Sequence, residues 1–591
     1  MGSEVDLAKR KRIVYEVEDR KKYIAYNDTK VYASTDIPMA PSASQAGLFL
    51  TPREVWAGYS TTDEELHTTV IEFNDKFTRY LYCAKHCDDG LLNVDAYLYR
   101  PDFDSKKTVL LIGETSCLPQ QDVIDYFVNT KRYNVLVPDY TGVGENSYTF
   151  YPDSCQHAAF GKENGKDKPF CVAAKDTSQY LRTLIVRRAL ILLKEELGET
   201  FVIAVGIRNG TETAMAAAGM EKSRICGLGL IAGAGYPEEA DIPKYDLSAK
   251  NEPSTEELCY AAGVTGVAYL KHYPHPVFAA IGSNGTYSDV DRLASLNVLI
   301  DNRLTVAVSR QCTNCIDFKS FLTLTEWADC AFYGSEFPEP PSTQITFNSD
   351  GSVYGDIFYD VPIRANKVKL YYSFGNRDHK SRFWCVSTGE TVGAKEAIAQ
   401  IKLETPCDCL FYYAETTYVN GLTVTEIPKY ADLSHKRLRD AGKKNRNVIY
   451  AFDEDNKTTF CEASDKAVLM HNNVEIFTTP SGVSGPVCKT GGMFFFVGDI
   501  LQNVDKNKIL RIDTFSAEAR YELEISVLRD SPVKRYVARK SCVGGADGFV
   551  GTQFLCSDFK DARFRPMSNW NGIVAFTVTT KNVVVGKMMF I

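Results

Sequence analysis

Between residues 67 and 335, short apolar runs alternate with longer stretches of helical periodicity. This alternation constrains the fold more than any other feature of the chain. "KTVLLIG", "YNVLVPDYTGVG", "FVIAVG", "ICGLGLIAG", "PVFAAIG" and "LTVAVSR" are short and almost wholly apolar. The segments between them, "QQDVIDYFV", "TSQYLRTLIVRRALILLKEELG", "TETAMAAAG" and "DVDRLASLNVLIDN", read as helices. Upstream, "HTTVIEFND" and "LLNVDAYLYRP" read as strands, with "DDG" as the turn before the second. Strands without polar alternation are buried on both faces. The pattern therefore predicts a mostly parallel sheet with helices on both sides.

Past about residue 340 the helical pattern nearly vanishes. "PEPPSTQ" is a proline-rich linker, and beyond it "QITFNSDGSVYGDIFYDVPI", "KVKLYYSFG" and "CDCLFYYAETTYVNGLTVTEI" alternate and break at Gly, Asn and Asp. This predicts an antiparallel sandwich. The basic run "DLSHKRLRDAGKKNRN" reads as a solvated connector to a second β-rich unit. At 591 residues the chain is too long for one core. The expected division is an N-terminal extension at 1–66, an α/β domain at 67–338, a β-sandwich at 339–432 and a jelly-roll-like β domain at 433–591. The expected class is α/β plus all-β.

"FVIAVGIRNGTETAMAAAG", residues 201–219, combines a buried strand, a glycine turn and a small-residue helix. With "YNVLVPDYTGVGENS" before it, and "PVFAAIGSNGTYSDVDRL" and "LTVAVSRQCTNCIDFKSF" after it, this region resembles the α/β-hydrolase family. In that family a G-x-S-x-G elbow carries the nucleophile, and the acid and the histidine follow in that order. The resemblance covers under half of the chain. It implies that Gly206, Arg208 and Gly210 form the elbow, that Ser283, Asn284 and Gly285 form the acid loop, and that Cys312, Asn314 and Cys315 lie in the histidine loop. None of the three roles is filled by its usual residue type. A guanidinium stays protonated and offers no nucleophilic lone pair. Asp289 and Asp291 follow the acid loop at a helix start, where capping is the simpler role. The histidine loop has no histidine to accept the nucleophile's proton.

Other candidates are fewer. Ser116 and Cys117, in "IGETSCLPQQ", follow the third strand, where the family places an oxyanion-hole N–H rather than a nucleophile. His272 and His275 precede a strand and so sit at the wrong end of the sheet. Arg208 projects beside a helix N-terminus, which favours an anionic ligand. The competing reading is an internal ion pair with Glu114 or Asp139, because an unpaired buried guanidinium is costly. Cys312 and Cys315 have metal-like spacing but lack a second pair, and Cys83, His86 and Cys87 form the other cluster. "DEDNKTTFCE", 453–462, lacks the central glycine of a calcium loop. No metal and no cofactor is expected. The stretch "FLCSDFKDARFRPMSNWNGIVAFTVTT" resembles the end of galactose-binding-like jelly rolls, with Trp570 offered as an exposed face for a sugar.

Net charge is −8 with no basic stripe, which argues against nucleic acid. The N-terminus has no apolar leader, and no run is long enough to span a membrane. The 17 cysteines are scattered through core strands and read as reduced thiols, so the expected compartment is the cytoplasm. These features lead to an expected non-catalytic pseudo-hydrolase: a structural scaffold that self-assembles through its β domains into a homo-oligomer or filament. The alternatives are an active serine- or cysteine-type ester or amide hydrolase with a displaced triad, and a carbohydrate- or anion-binding module.

Overall fold

The apolar runs become the strands of one large sheet. A computed structural model describes residues 52–155, 162–163, 166–167, 177–198, 200–234, 263–271, 273–285, 290–360, 364–374, 379, 382, 384–403, 409–434, 436, 448–451, 469–470, 474–488, 493–496, 504–529, 534–545 and 547–591. The stretch before residue 52, His272, Asp289, Cys407, the core of the basic connector and the 453–462 loop lie outside the described residues.

The α/β region contains β1 (Thr69–Phe73), β2 (Phe77–Cys87), β3 (Gly90–Tyr99), β4 (Lys107–Ile112), β5 (Asn134–Asp139), β6 (Phe201–Ile207), β7 (Ile225–Ile231), β8 (Val277–Gly282) and β9 (Leu304–Ser309). Their spatial order is β1-β2-β3-β5-β4-β6-β7-β8-β9. From β5 to β9 all neighbours are parallel. β1, β2 and β3 pair antiparallel, and β3 joins β5 antiparallel. Parallel strands need covered faces, and helices α1 (Ser178–Leu197), α2 (Gly210–Met220) and α3 (Phe318–Tyr333) supply the cover. Within β4, Leu110 and Ile112 enter the core under α1 and α2, while Val109 and Leu111 enter the core under α3. This two-sided burial explains why the strand carries no polar alternation.

Local signals fix the helix ends. The Thr177 side chain accepts from Tyr180 N–H at 3.2 Å and starts α1. Asp317 accepts from Ser320 N–H at 2.7 Å and starts α3. Gly334, at φ 63°, ends α3 in the left-handed region that favours glycine.

The sheet does not stop at β9. It continues through β13 (Thr423–Thr425), β12 (Cys409–Tyr418), β10 (Ala365–Phe374) and β11 (Cys385–Thr388), joined at the bridge between Val306 and Thr425. A separate antiparallel sheet of Ser342–Phe347, Val353–Phe358, Glu396–Ile401 and Glu390–Gly393 lies against this extension. Ile357, Leu370, Ala399 and Leu410 fill the layer between them. The sandwich that follows the proline-rich linker thus shares one of its two sheets with the α/β region. The C-terminal unit is a further pair of antiparallel sheets around a core that includes Phe495, Ile525, Phe576 and Met588. No helix among the described residues is long and apolar enough to cross a membrane.

Candidate active site

The elbow is built as its glycines require. β6 ends at Ile207, Arg208 takes φ 51°, and α2 begins at Gly210. A Cβ on Gly206 would lie 2.5 Å from Thr211 Cα, and one on Gly210 would collide with the Gly113 carbonyl. Both positions therefore demand glycine. A positive φ on a long side chain is rare and costs free energy, yet the turn holds it. This conformation presents the middle residue of the elbow at the C-terminal end of the sheet.

The strand order, the antiparallel strand β3 set between β2 and β5, and the strained turn after β6 occur together. The fold of this region is α/β-hydrolase-like. Solved structures similar to this chain include an acetyl xylan esterase from Paenibacillus sp. R4 (14% identity, 46% of this chain and 90% of the other, TM-score 0.35). Acetyl xylan esterase 1 from Thermoanaerobacterium sp. JW/SL YS485 shares 13% identity over 52% of this chain and 98% of its own (TM-score 0.36). Est1E from Butyrivibrio proteoclasticus with ferulic acid bound shares 14% over 41% and 94% (TM-score 0.29). No protein-family model and no curated protein matches the sequence.

These findings correct the expectation of a non-catalytic, self-assembling scaffold. The similar solved structures are esterases.

Arg208 is buried, at 2% exposure. Its Nη1 donates to both carboxylate oxygens of Glu114 at 3.1 Å, and its Nε donates to the Asn314 carbonyl at 2.9 Å. Of the two carboxylates the sequence offered, the structure gives it Glu114. Asp139 instead accepts from Val143 N–H, Gly144 N–H and Ser147 Oγ.

The Glu114 Oε1 atom takes two more donors, Ser116 Oγ and Cys117 Sγ, each at 2.9 Å. Ser116 is exposed and Cys117 is half-buried. Asn209, the residue after Arg208, fastens this loop. Its Oδ1 accepts from Thr115 N–H at 3.1 Å and its Nδ2 donates to Thr115 Oγ1 at 2.8 Å. Burial pushes the Glu114 carboxyl up, but the hydrogen bond from Cys117 and the charge and hydrogen bond of Arg208 outweigh it, and the group is held below the usual value. Cys117 goes the other way. Burial, then the hydrogen bond to Glu114 and its negative charge, push the thiol up to about 11.

The acid and histidine loops meet each other. Ser283 Oγ donates to Asn284 Oδ1 at 2.7 Å and accepts from Gln311 N–H at 2.8 Å. Asn284 Nδ2 donates to the carbonyls of Arg382 at 2.7 Å and His379 at 3.0 Å. His379 Nε2 lies 2.8 Å from the Gly285 carbonyl. Asp291 is not a helix cap: it is buried and takes a two-pronged bond from Arg382 at 2.7 and 2.8 Å. The segment containing His379, Arg382 and Trp384 joins β10 to β11, so the neighbouring sandwich fills this end of the sheet. Sequence reasoning missed it. The one signal was a run of cationic and aromatic residues, "HKSRFWC", in a β-rich context.

The remaining candidates fall elsewhere. Cys312 and Cys315 are buried against each other. Among the described residues no group of three or more His, Cys, Asp or Glu is arranged to hold a metal. His275 lies before β8, at the opposite end of the sheet from the elbow, with Nε2 2.7 Å from the Lys222 carbonyl. Trp570 is corrected from an exposed sugar platform to a core residue. It is fully buried, its Nε1 donates to the Lys508 carbonyl at 2.9 Å, and its ring packs edge-on to Phe559 and Phe590. A Trp is buried whole when its N–H finds a partner, and here a backbone carbonyl supplies one.

Proposed function

We propose that this chain hydrolyses ester or amide bonds, with the nucleophile moved from the elbow to the adjoining loop. The carrying observation is that Cys117 Sγ and Ser116 Oγ both reach one oxygen of Glu114, which Arg208 holds from the elbow itself. Nucleophile and proton acceptor within hydrogen-bond reach, with the acceptor oriented by a third group, is the general logic of activated nucleophiles.

Cys117 is assigned as the nucleophile. Its sulfur attacks the acyl carbon while its proton passes to Glu114. The tetrahedral intermediate collapses, and the leaving alcohol or amine takes that proton. Water, deprotonated by Glu114, then attacks the thioester; the intermediate expels the Cys117 thiolate, which takes the proton back from Glu114, and the acid is freed. Arg208 orients Glu114 and does not touch the substrate. Because the thiol is pushed up to about 11, its thiolate fraction is small at neutral pH and grows as pH rises.

The test is covalent labelling of the folded chain with a chloroacetamide and with a fluorophosphonate, located by peptide mass spectrometry, beside turnover of an activated phenyl ester. The expected result is denaturation-sensitive labelling of Cys117 that steepens with pH, and ester turnover lost in Cys117→Ala. Folded protein, by circular dichroism, that labels neither Cys117 nor Ser116 and leaves the ester intact would overturn the proposal.

A further inference from the structure

We propose that Cys87 and Cys155 form a redox-dependent disulfide that fastens the segment after β5 to the β2–β3 hairpin. The two Sγ atoms lie 3.1 Å apart, although the residues are far apart in sequence. Cys87 is the last residue of β2 and is half-buried, while Cys155 is buried.

The backbones around both thiols are already locked in place by other contacts. Phe150 and Asn93 exchange both main-chain hydrogen bonds, at 2.9 and 3.1 Å. Ser154 N–H donates to Asp89 Oδ2 at 2.9 Å and Ser154 Oγ donates to Asp89 Oδ1 at 2.5 Å. The hairpin turn between Cys87 and Gly90 therefore already holds the residue before Cys155. Closing the bond asks the sulfurs to approach by about 1 Å, towards the usual S–S length near 2.05 Å, with little movement of either backbone.

The chemistry is thiol–disulfide exchange with a small-molecule disulfide as oxidant. One protein thiolate attacks a sulfur of the oxidant and expels one small thiol. The second protein thiol gives up its proton and displaces the other. The protein loses two electrons and two protons, and the oxidant gains both as two thiols. Burial, together with the neighbouring thiol of Cys155, pushes Cys87 up to about 12, so exchange at neutral pH is slow and must be taken to equilibrium.

The bond would bear on the elbow through a short chain of contacts. The Tyr151 hydroxyl donates to the Tyr140 carbonyl, and the Tyr140 hydroxyl donates to the Gly113 carbonyl at 2.5 Å. Gly113 precedes Glu114. The disulfide does not depend on the proposed hydrolysis, and its detection does not require activity.

The experiment equilibrates the full chain, anaerobically, across a range of oxidised-to-reduced glutathione ratios. Non-reducing peptide mass spectrometry then follows linked peptides. A Cys87–Cys155 linked peptide should appear cooperatively with the loss of two thiols, and the melting temperature should rise by a few degrees because the bond closes a long loop. Cys87→Ser and Cys155→Ser should each remove that peptide and the thermal shift. Glutathione adducts on both cysteines without the linked peptide, or two unmodified thiols at ratios that oxidise other cysteines of the folded wild type, would overturn the proposal.

Discussion

Arg208 combines two costs that rarely occur in one residue: a positive φ on a long side chain and a buried guanidinium. The ion pair with Glu114 offsets the buried charge, and the packed turn holds the φ. Removing one partner of a buried pair strands the other charge, so Arg208→Ala should destabilise the fold by about 3–5 kcal/mol in urea unfolding. The double variant Arg208→Met/Glu114→Leu should recover much of that loss, because it strands no charge. A double variant as unstable as Arg208→Ala would show that the elbow geometry, not charge, sets the cost. Glu114 also predicts a pH response. Its carboxyl lies below the usual value in the folded state, so its contribution is present above the ordinary glutamate range near pH 4.3 and is lost as pH falls through the lower folded value. Denaturant midpoints measured from pH 7 to pH 3 should fall more steeply for the wild type than for Glu114→Gln, and parallel curves would sink this reading.

The elements repeat the lesson at a larger size. Strand β6, the elbow and α2 fit together because Gly210 sits against the Gly113 carbonyl. Gly210→Ala inserts a methyl group against backbone that cannot rotate away. It should cost about 1–3 kcal/mol, read as a lower urea midpoint, and should loosen the 113–117 loop in hydrogen exchange. This element was legible in the sequence, because an apolar run ending in a glycine turn and small residues has one economical geometry. The elbow's neighbours were not. Ser116 and Cys117 were visible as residue types, but their meeting on Glu114 depends on a tight turn that bridges Glu114 and Cys117, and periodicity carries no information on that. Trp570 failed for a related reason. Its surroundings, "SNWNG", look like an exposed turn, yet the ring turns inward and its N–H finds a carbonyl more than sixty residues earlier.

Across the whole molecule, the change of composition near residue 338 does not end the large sheet. The sheet runs from β1 through β9 into β13, β12, β10 and β11, and the buried Arg382–Asp291 pair ties the sandwich into the acid loop. Arg382→Ala should therefore lower the stability of the α/β region itself by about 3–5 kcal/mol, seen as one merged calorimetric transition moving down. A transition that splits, leaving the α/β region at its original temperature, would show the two regions to be independent. The continuous sheet also sets an order of events at the ribosome. β9 is made well before its partner Thr425, so its outer edge stays bare while the intervening strands are synthesised. An unpaired strand edge is a template for stray chains. The newborn protein must pass through a period in which the completed α/β half is sticky, and cells that make it quickly will need chaperones to shield that edge.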